Sequence, residues 1–222
     1  GAGKSLLVAR LLENLGEGIH VGVFSNPHRN MKHLIEWVML SFGQPYEDLT
    51  PAGLFDAFRR FLMEERSAGR RCLLIVEEAQ NLSHAALQAI ALLADARAAG
   101  DPLLHVLLVG QPELADVLER PELHGLARRV AVSHHLSALP ASEVGAYIRH
   151  RLQVAGRDTP LFDGGAIELV AATTDGIPRR INTLCGSALL YGFARQASLI
   201  DASVLCEVMA DREAYGVFRH GR

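Results

Sequence analysis

The sequence begins with Gly1-Ala2-Gly3-Lys4-Ser5, followed immediately by the apolar run Leu6-Leu7-Val8. This stretch matches the second half of a phosphate-binding P-loop, G-x-x-x-x-G-K-[ST], which leads into a helix. Glycines let backbone N–H groups approach phosphate oxygens closely, and a helix start adds the positive end of its dipole. We therefore predict that residues 1–6 bind nucleotide phosphates, with Lys4 on the β- and γ-phosphates and Ser5 on Mg²⁺.

A helix is expected directly after this loop, because Leu7, Leu11 and Leu15 recur at a four-residue spacing and form one apolar face. A pentapeptide at a chain end is also compatible with a flexible terminus, and a motif is confirmed only by its structural context. The first glycine of the motif and the strand that should precede it are missing from the sequence. We therefore expect the chain to be a fragment of a longer protein.

The composition, 222 residues of which 49% are hydrophobic, indicates a globular protein of one large or two smaller domains. The longest apolar runs are too short to cross a bilayer, so no membrane span is expected within the chain. The formal net charge of −3 argues against a nucleic-acid binder that is basic overall, although a local patch stays open. Three widely spaced cysteines, Cys72, Cys185 and Cys206, predict free thiols in a reducing compartment.

The first half of the chain alternates between strands and helices, which predicts a parallel, doubly wound α/β sheet. Apolar runs predict strands at Ile19–Phe24, Cys72–Val76, Leu103–Val109 and Val130–His134. Periodicity and capping residues predict helices at Met31–Phe42, from the Thr50 cap to Gly69, from the Ser83 cap to Ala98, and at Pro112–Leu118. The second of these helices is expected to bury Leu54, Phe55, Phe58, Phe61 and Leu62.

After about Ala138 the strand-like runs give way to helical periodicity. Four helices are predicted, at Ala141–Ala155, Asp163–Thr173, Pro178–Arg195 and Asp201–Arg212. We therefore predict two domains, an α/β nucleotide-binding domain at residues 1–137 and a small helical domain at residues 138–222.

Two adjacent acids, Glu77 and Glu78, follow the buried strand Cys72–Val76. This is the Walker B arrangement, in which oxygen ligands stand at the carboxyl end of a strand beside the phosphate loop. Glu77 would take the position of the Mg²⁺-associated acid, and Glu78 that of the acid that orients the attacking water. The alternative is a pair of solvated acids at a strand end, which would leave the Gly-Lys-Ser motif unexplained.

Together with Gly-x-Gly-Lys-Ser, three segments, Leu73–Leu82 (LLIVEEAQNL), Val106–Leu114 (VLLVGQPEL) and Gly176–Cys185 (GIPRRINTLC), carry a family resemblance. The sequence resembles the ExeA/GspA-type AAA+ ATPases, a group related to the transposition helpers TniB and TnsC. The resemblance covers essentially the whole chain. It implies a P-loop NTPase of the AAA+ type, with a five-stranded parallel sheet, flanking helices and a C-terminal helical lid. It also implies binding of ATP and Mg²⁺, ATP hydrolysis and ATP-dependent assembly into a homo-oligomer.

By the same resemblance, Gln111 matches the sensor 1 position at the end of the fourth strand of the family sheet, close to the γ-phosphate. Arg179 matches the sensor 2 arginine of the lid, and Arg129 matches the arginine finger, with Arg128 as the alternative. Arginine's fixed fork of donors suits these roles, because phosphoryl transfer depends on cations placed on developing charge. Glu77 departs from the family pattern, which usually has aspartate at this position, and the first strand of the family sheet is absent from the sequence.

Two classes of function remain open from the sequence. The first is an ATP-hydrolysing switch or motor that serves the assembly of secretion or envelope machinery, with a secretion-system protein as its partner. The second is an ATP-gated, DNA-binding transposition helper, with a transposase as its partner. Either implies a cytoplasmic location, and tethering to the inner membrane through segments outside this chain stays open.

Overall fold

A computed structural model describes residues 1–25 and 34–215. The chain divides into two compact units, one formed by Lys4–His135 and one by Gly1–Gly3 together with the residues from Leu136 onward. Within the described residues, no helix is long and apolar enough to span a membrane.

The first unit is built on a parallel sheet. The strands of this unit are β1 (Ile19–Phe24), β2 (Arg71–Val76), β3 (Arg97–Ala98), β4 (Asp101–Pro102) and β5 (Leu104–Leu108). The parallel sheet has the order β1-β2-β5, and Val76 at the end of the middle strand pairs with Phe24 and Leu108. Leu74, Ile75 and Val76 are fully buried, as expected for a continuous apolar strand covered on both faces. The three strand predictions for this sheet are confirmed.

The described residues of this unit form six α-helices: α1 (Lys4–Asn14), α2 (Leu34–Ser41), α3 (Pro51–Ser67), α4 (His84–Ala94), α5 (Glu113–Leu118) and α6 (His124–Ala127). Residues 31–33 of the first predicted helix lie outside the described residues. The caps act as predicted, because Thr50 Oγ1 accepts a hydrogen bond from the Gly53 N–H at 3.2 Å and Ser83 Oγ accepts one from the Ala86 N–H at 3.2 Å.

The apolar faces of two helices differ from the predicted ones. Helix α3 buries Leu54, Phe58, Phe61 and Leu62. Phe55 lies at the edge of that stripe and is 38% exposed, so its predicted burial is wrong. In α1 the buried residue is Val8, and Leu7 is 54% exposed. Leu11 and Leu15 are partly buried, so Leu7 is the residue of the predicted face that is wrong.

Helix α4 ends at Ala94, so the predicted extension to Ala98 is wrong. Arg97–Ala98 instead pairs with Asp101–Pro102 in an antiparallel hairpin. The two residues at its turn, Ala99 and Gly100, both have positive φ, at 51° and 91°. Positive φ at both central residues gives the turn the twist that such a hairpin needs.

The predicted strand Val130–His134 is also wrong, because these residues have no regular secondary structure. Val132 is 85% exposed. A strand needs a hydrogen-bonded neighbour, and no strand among the described residues pairs with this segment. The parallel sheet that the structure describes therefore has three strands, compared with the five implied by the resemblance.

The second unit is helical. Its helices are α7 (Ala141–Val154), α8 (Gly164–Thr174), α9 (Pro178–Ala194) and α10 (Ala202–Tyr215). The four helix predictions agree with these bounds to within a few residues. Helix α8 has its N-cap at Asp163, whose Oδ1 accepts a hydrogen bond from the Ala166 N–H at 2.7 Å. The face of α9 buries the five predicted residues, Ile181, Leu184, Cys185, Ala188 and Gly192.

Candidate functional site

The carboxyl end of β2 holds the two predicted acids. The Glu77 N–H donates to the Phe24 carbonyl at 2.9 Å, which extends the pairing of β1 with β2 by one residue. Ser25 Oγ donates to Glu77 Oε2 at 2.7 Å. This places the Glu77 carboxylate at the edge where β1 and β2 both end, the position at which parallel α/β sheets bind ligands.

The backbone reverses at Glu78, which has φ 51° and ψ 38°. This left-handed conformation costs a residue with a side chain about 1 kcal/mol and is concentrated at functional sites. Ala79 follows it, and its N–H donates to the Val109 carbonyl at 3.0 Å. The reversal begins a short 3₁₀ turn at Ala79–Asn81.

The Glu78 carboxylate is held by two amide side chains. Its Oε2 accepts hydrogen bonds from Gln80 Nε2 at 2.6 Å and from Gln111 Nε2 at 3.3 Å. The Gln80 bond, followed by the Gln111 bond and the positive charge of Lys4, lowers the pKa of Glu78 below its ordinary value, while partial burial opposes this. Glu78 is therefore a carboxylate at neutral pH, able to accept a proton or polarise a water molecule.

Gln111 lies beyond the end of β5, where the sequence predicted a residue of the sensor 1 type. Its backbone N–H donates to Gln80 Oε1 at 3.1 Å. A Cβ at the neighbouring Gly110 would lie 3.0 Å from Gln80 Oε1 and 2.8 Å from Leu114 Cδ2, so a side chain there would force Gln80 and Leu114 to shift. Sequence reasoning brought Glu78 and Gln111 together but missed Gln80, whose only signal was its place in the quoted LLIVEEAQNL segment.

The residues of the predicted phosphate loop are divided between the two units. Lys4 and Ser5 begin α1, so the loop leads into a helix as the motif requires, and Leu6 is 66% exposed in its first turn. Gly1, Ala2 and Gly3 group with the helical unit, and Gly3 has φ 106°. The positive φ of Gly3 is the backbone freedom for which a P-loop glycine is required.

Arg179 belongs to the helical unit and lies in the first turn of α9, with its side chain exposed. Its backbone N–H donates to the Gly1 carbonyl at 3.3 Å. The loop before it depends on Gly176, which has φ 67° and whose Cβ would lie 1.9 Å from the Leu139 carbonyl oxygen. The Gly-Ile-Pro-Arg segment is thus fixed against the chain at Leu139.

Arg129 follows α6 and is paired within its own unit. Its Nε and Nη2 donate to the two carboxylate oxygens of Asp95, each at 2.7 Å, and its Nη1 donates to the Gly125 carbonyl. The hydrogen bonds between them raise the pKa of Arg129 and lower that of Asp95. The pair is close to half exposed, at 44% and 43%, so solvent screens it. Arg128, the alternative finger, is exposed at the C-cap of α6.

The oxygen donors predicted for a magnesium ion are the Ser5 hydroxyl and the Glu77 carboxylate. Among the described residues there is no group of three His, Cys, Asp or Glu side chains that could hold a metal by itself. Mg²⁺ bound with a nucleotide usually takes only one or two protein ligands and fills its other positions with phosphate and water. The donor set therefore fits Mg²⁺ that arrives with a nucleotide.

Comparisons with known proteins show the family to which the chain is related. Residues 1–118 match the family described as AAA domain. The chain is 37% identical over 196 residues to General secretion pathway protein A of Aeromonas hydrophila, an alignment that covers 88% of this chain and 36% of that protein. The chain thus spans about a third of that relative's length. The resemblance drawn from the motifs is confirmed.

Solved structures with the same fold are more distant in sequence. The ORC2 protein of Aeropyrum pernix, solved as ADPNP-ADP complexes, has a TM-score of 0.69 at 17% identity, covering 99% of this chain and 61% of that one. Cdc6p from Pyrobaculum aerophilum has a TM-score of 0.69 at 16% identity, covering 90% and 55%. The Thermotoga maritima RuvB branch migration motor has a TM-score of 0.52 at 12% identity, covering 97% and 70%. The predicted P-loop AAA+ fold is confirmed.

Proposed function

The chain belongs to the family of AAA domains, which are P-loop ATPases, and from this premise we propose that it hydrolyses Mg·ATP as an oligomeric switch or motor in the assembly of secretion machinery. The observation that carries the proposal is the ionised Glu78 carboxylate, held by two amides at the end of the middle strand. An acid fixed in this way at the ligand-binding edge of the sheet suits the role of general base.

In this proposal the nucleotide phosphates bind to the backbone N–H groups of residues 1–6 at the start of α1, and Lys4 supplies a cation to them. Ser5 and Glu77 would hold Mg²⁺, whose chemistry is to neutralise charge on the phosphate oxygens. The hydrogen bond from Ser25 positions the Glu77 carboxylate for that task. Glutamate is one methylene longer than the usual aspartate. The hydrogen bond from Ser25 would hold the longer Glu77 side chain in one orientation and so accommodate its extra length.

Glu78 would accept the proton of the attacking water, and the Gln111 side chain would report on the γ-phosphate beside it. Phosphoryl transfer is catalysed mainly by positioning and by electrostatic stabilisation. Gln111 Nε2 already lies 3.3 Å from Glu78 Oε2, so a shift of Gln111 toward a phosphate oxygen would change how Glu78 is held.

We propose that the two arginines, Arg179 and Arg129, make hydrolysis depend on the lid and on a neighbouring subunit, respectively. Arg179 would bind the γ-phosphate from the helical lid, with residues 1–137 as the nucleotide-binding domain and residues 138–222 as the lid. Arg129 would act on the nucleotide of a neighbouring subunit in a homo-oligomer. To do so it must leave Asp95, and the exposure of that pair makes the exchange feasible.

The role in secretion rests on the identity to General secretion pathway protein A, and the partner would be a protein of that machinery. The transposition-helper alternative has less support, because the net charge is −3. Salt-dependent binding of the purified chain to duplex DNA in the presence of ATP would favour that alternative.

The test of hydrolysis is Glu78→Gln, with Glu64→Gln on the exposed side of α3 as its control. The Glu78 variant should bind Mg·ATP as the parent does but lose turnover by about 10²- to 10⁴-fold, the usual contribution of a general base. Titration calorimetry measures binding, and phosphate release measures turnover. Turnover within about twofold of the parent would remove Glu78 from the role of general base.

A further inference from the structure

Gln80 makes two hydrogen bonds that join the ends of two neighbouring strands. Its Nε2 donates to Glu78 Oε2 at 2.6 Å, and its Oε1 accepts from the Gln111 backbone N–H at 3.1 Å. The orientation of this amide is set by chemistry, since an ionised carboxylate can only accept and a backbone N–H can only donate. In a flipped amide, Gln80 Oε1 would face the Glu78 carboxylate, acceptor against acceptor, and Nε2 would face the Gln111 N–H, donor against donor.

These bonds form part of a closed ring of three groups. The Gln111 side chain donates to the same Glu78 oxygen at 3.3 Å, while the Gln111 backbone donates to Gln80. These bonds therefore fix the Glu78 carboxylate and the Gln80 amide relative to both the backbone and the side chain of Gln111. Two backbone features permit the ring, namely the left-handed φ of Glu78 and the absence of a Cβ at Gly110.

We propose that Gln80 is a positioning residue, which holds the Glu78 carboxylate for its task and links it to the backbone of Gln111. This inference rests on the proposed function, because it assigns to Glu78 the role of general base. A displacement of Gln111 on contact with a nucleotide would pull on the Gln80 amide and change the orientation of the base. The contact of Gln111 with the nucleotide and the acceptance of a proton by Glu78 would then be coupled through the Gln80 side chain.

Two substitutions at position 80 separate positioning from packing. Methionine removes both the donor to Glu78 and the acceptor for the Gln111 backbone N–H. Glutamate keeps an acceptor for that N–H but places a second carboxylate against Glu78, which repels it. A residue that only fills space would tolerate the substitution of nearly equal shape.

The experiment compares Gln80→Met, Gln80→Glu and the parent, with Asn81→Met as a control at the adjacent exposed position. Single-turnover hydrolysis is measured at neutral pH, and Mg·ATP affinity is measured by titration calorimetry. We expect Gln80→Met to lower the hydrolysis rate about 10- to 100-fold, as loss of an orienting partner typically does. Its affinity should change less than about twofold. Gln80→Glu should lower the rate at least as much, again without an equal loss of affinity, because its carboxylate repels Glu78 and cannot donate to it.

Gln80→Glu matches the shape of glutamine, so its effect cannot be ascribed to altered packing of the turn. Unchanged rates in both Gln80 variants would overturn the inference. An equal loss of affinity and rate would do so as well. Glu78→Gln in the same series distinguishes a failure of the proposed function from a failure of the role of Gln80. If that variant stays active, the proposed function fails. If it is inactive while Gln80→Met is normal, only the role of Gln80 fails.

Discussion

Glu65 is the charged side chain whose removal should cost the first unit the most stability. It is 6% exposed, and its carboxylate accepts two bonds from Arg70 at 2.6 Å and lies 3.1 Å from His20 Nδ1. Glu65→Gln would remove the charge and replace one acceptor oxygen by a donor facing Arg70. Hydrogen bonds to charged groups contribute about 1.5–3 kcal/mol. Because Arg70 is 44% exposed and partly screened, we expect a loss of about 2 kcal/mol in the free energy of unfolding.

The assay is urea unfolding followed by the fluorescence of Trp37, the single tryptophan of the chain. Trp37 stacks on Phe24 at 6.3 Å between ring centroids, so it reports on the unit that contains Glu65. The adjacent Glu64→Gln is the matched control, since Glu64 is exposed. Surface substitutions of this kind usually change stability by less than about 0.5 kcal/mol. Equal midpoints for the two variants would refute the view that the buried carboxylate stabilises this unit.

The same substitution has a defined pH dependence. Hydrogen bonds from Arg70 hold the pKa of Glu65 at about 2, below its ordinary value of 4.5. A carboxyl group whose pKa is lowered on folding stabilises the protein fully above the ordinary value, and this contribution is lost as pH falls toward 2. The separation of the two pKa values limits the effect to about 3 kcal/mol. The difference in stability between parent and Glu65→Gln should therefore shrink on acidification below pH 4.5. A difference that stays constant would contradict this.

Two further predictions concern assembly and capping. Mixing Arg129→Ala with Lys4→Ala subunits should restore some hydrolysis, because fingers from one variant can act on intact phosphate loops of the other. A rate that shows neither this rescue nor any dependence on protein concentration would exclude a shared site. Thr50→Ala removes the side-chain acceptor at the start of α3 and should cost about 1 kcal/mol in the free energy of unfolding, measured with Trp37. No shift of the midpoint would show that this cap is dispensable.

Elements with local signals were predictable from the sequence. The second unit is the clearest case, because Asp163 marks the start of α8, Pro178 marks the start of α9, and an apolar stripe runs along α9. Local signals were insufficient where tertiary pairing decides the conformation. Val130–His134 has strand-like residues but no neighbouring strand among the described residues. The end of α4 is likewise set by the hairpin at Arg97–Pro102, whose pairing lies outside any helical pattern.

In the candidate site, too, some residues could be predicted from local sequence signals and others could not. Lys4, Glu78 and Gln111 could be singled out as candidates, because motif and resemblance specify them one residue at a time. The partners of such residues could not. Asp95, which holds Arg129, was expected to lie inside a longer α4, and its role became visible only where that helix ends.

The position of Gln80 depends on strand register, which explains why the sequence did not reveal it. The pairing of Val76 with Leu108 places the ends of β2 and β5 at the same level of the sheet. The left-handed turn at Glu78 then sends the chain back beside β5, where the Ala79 N–H bonds to the Val109 carbonyl. Gln80 consequently meets Gln111, although 31 residues separate them. A slip of one residue in this register would invert every side chain of β2 and break the ring. The packing of the apolar strand β2 therefore fixes the geometry around Glu78, so the residues of the core also determine the geometry of the site.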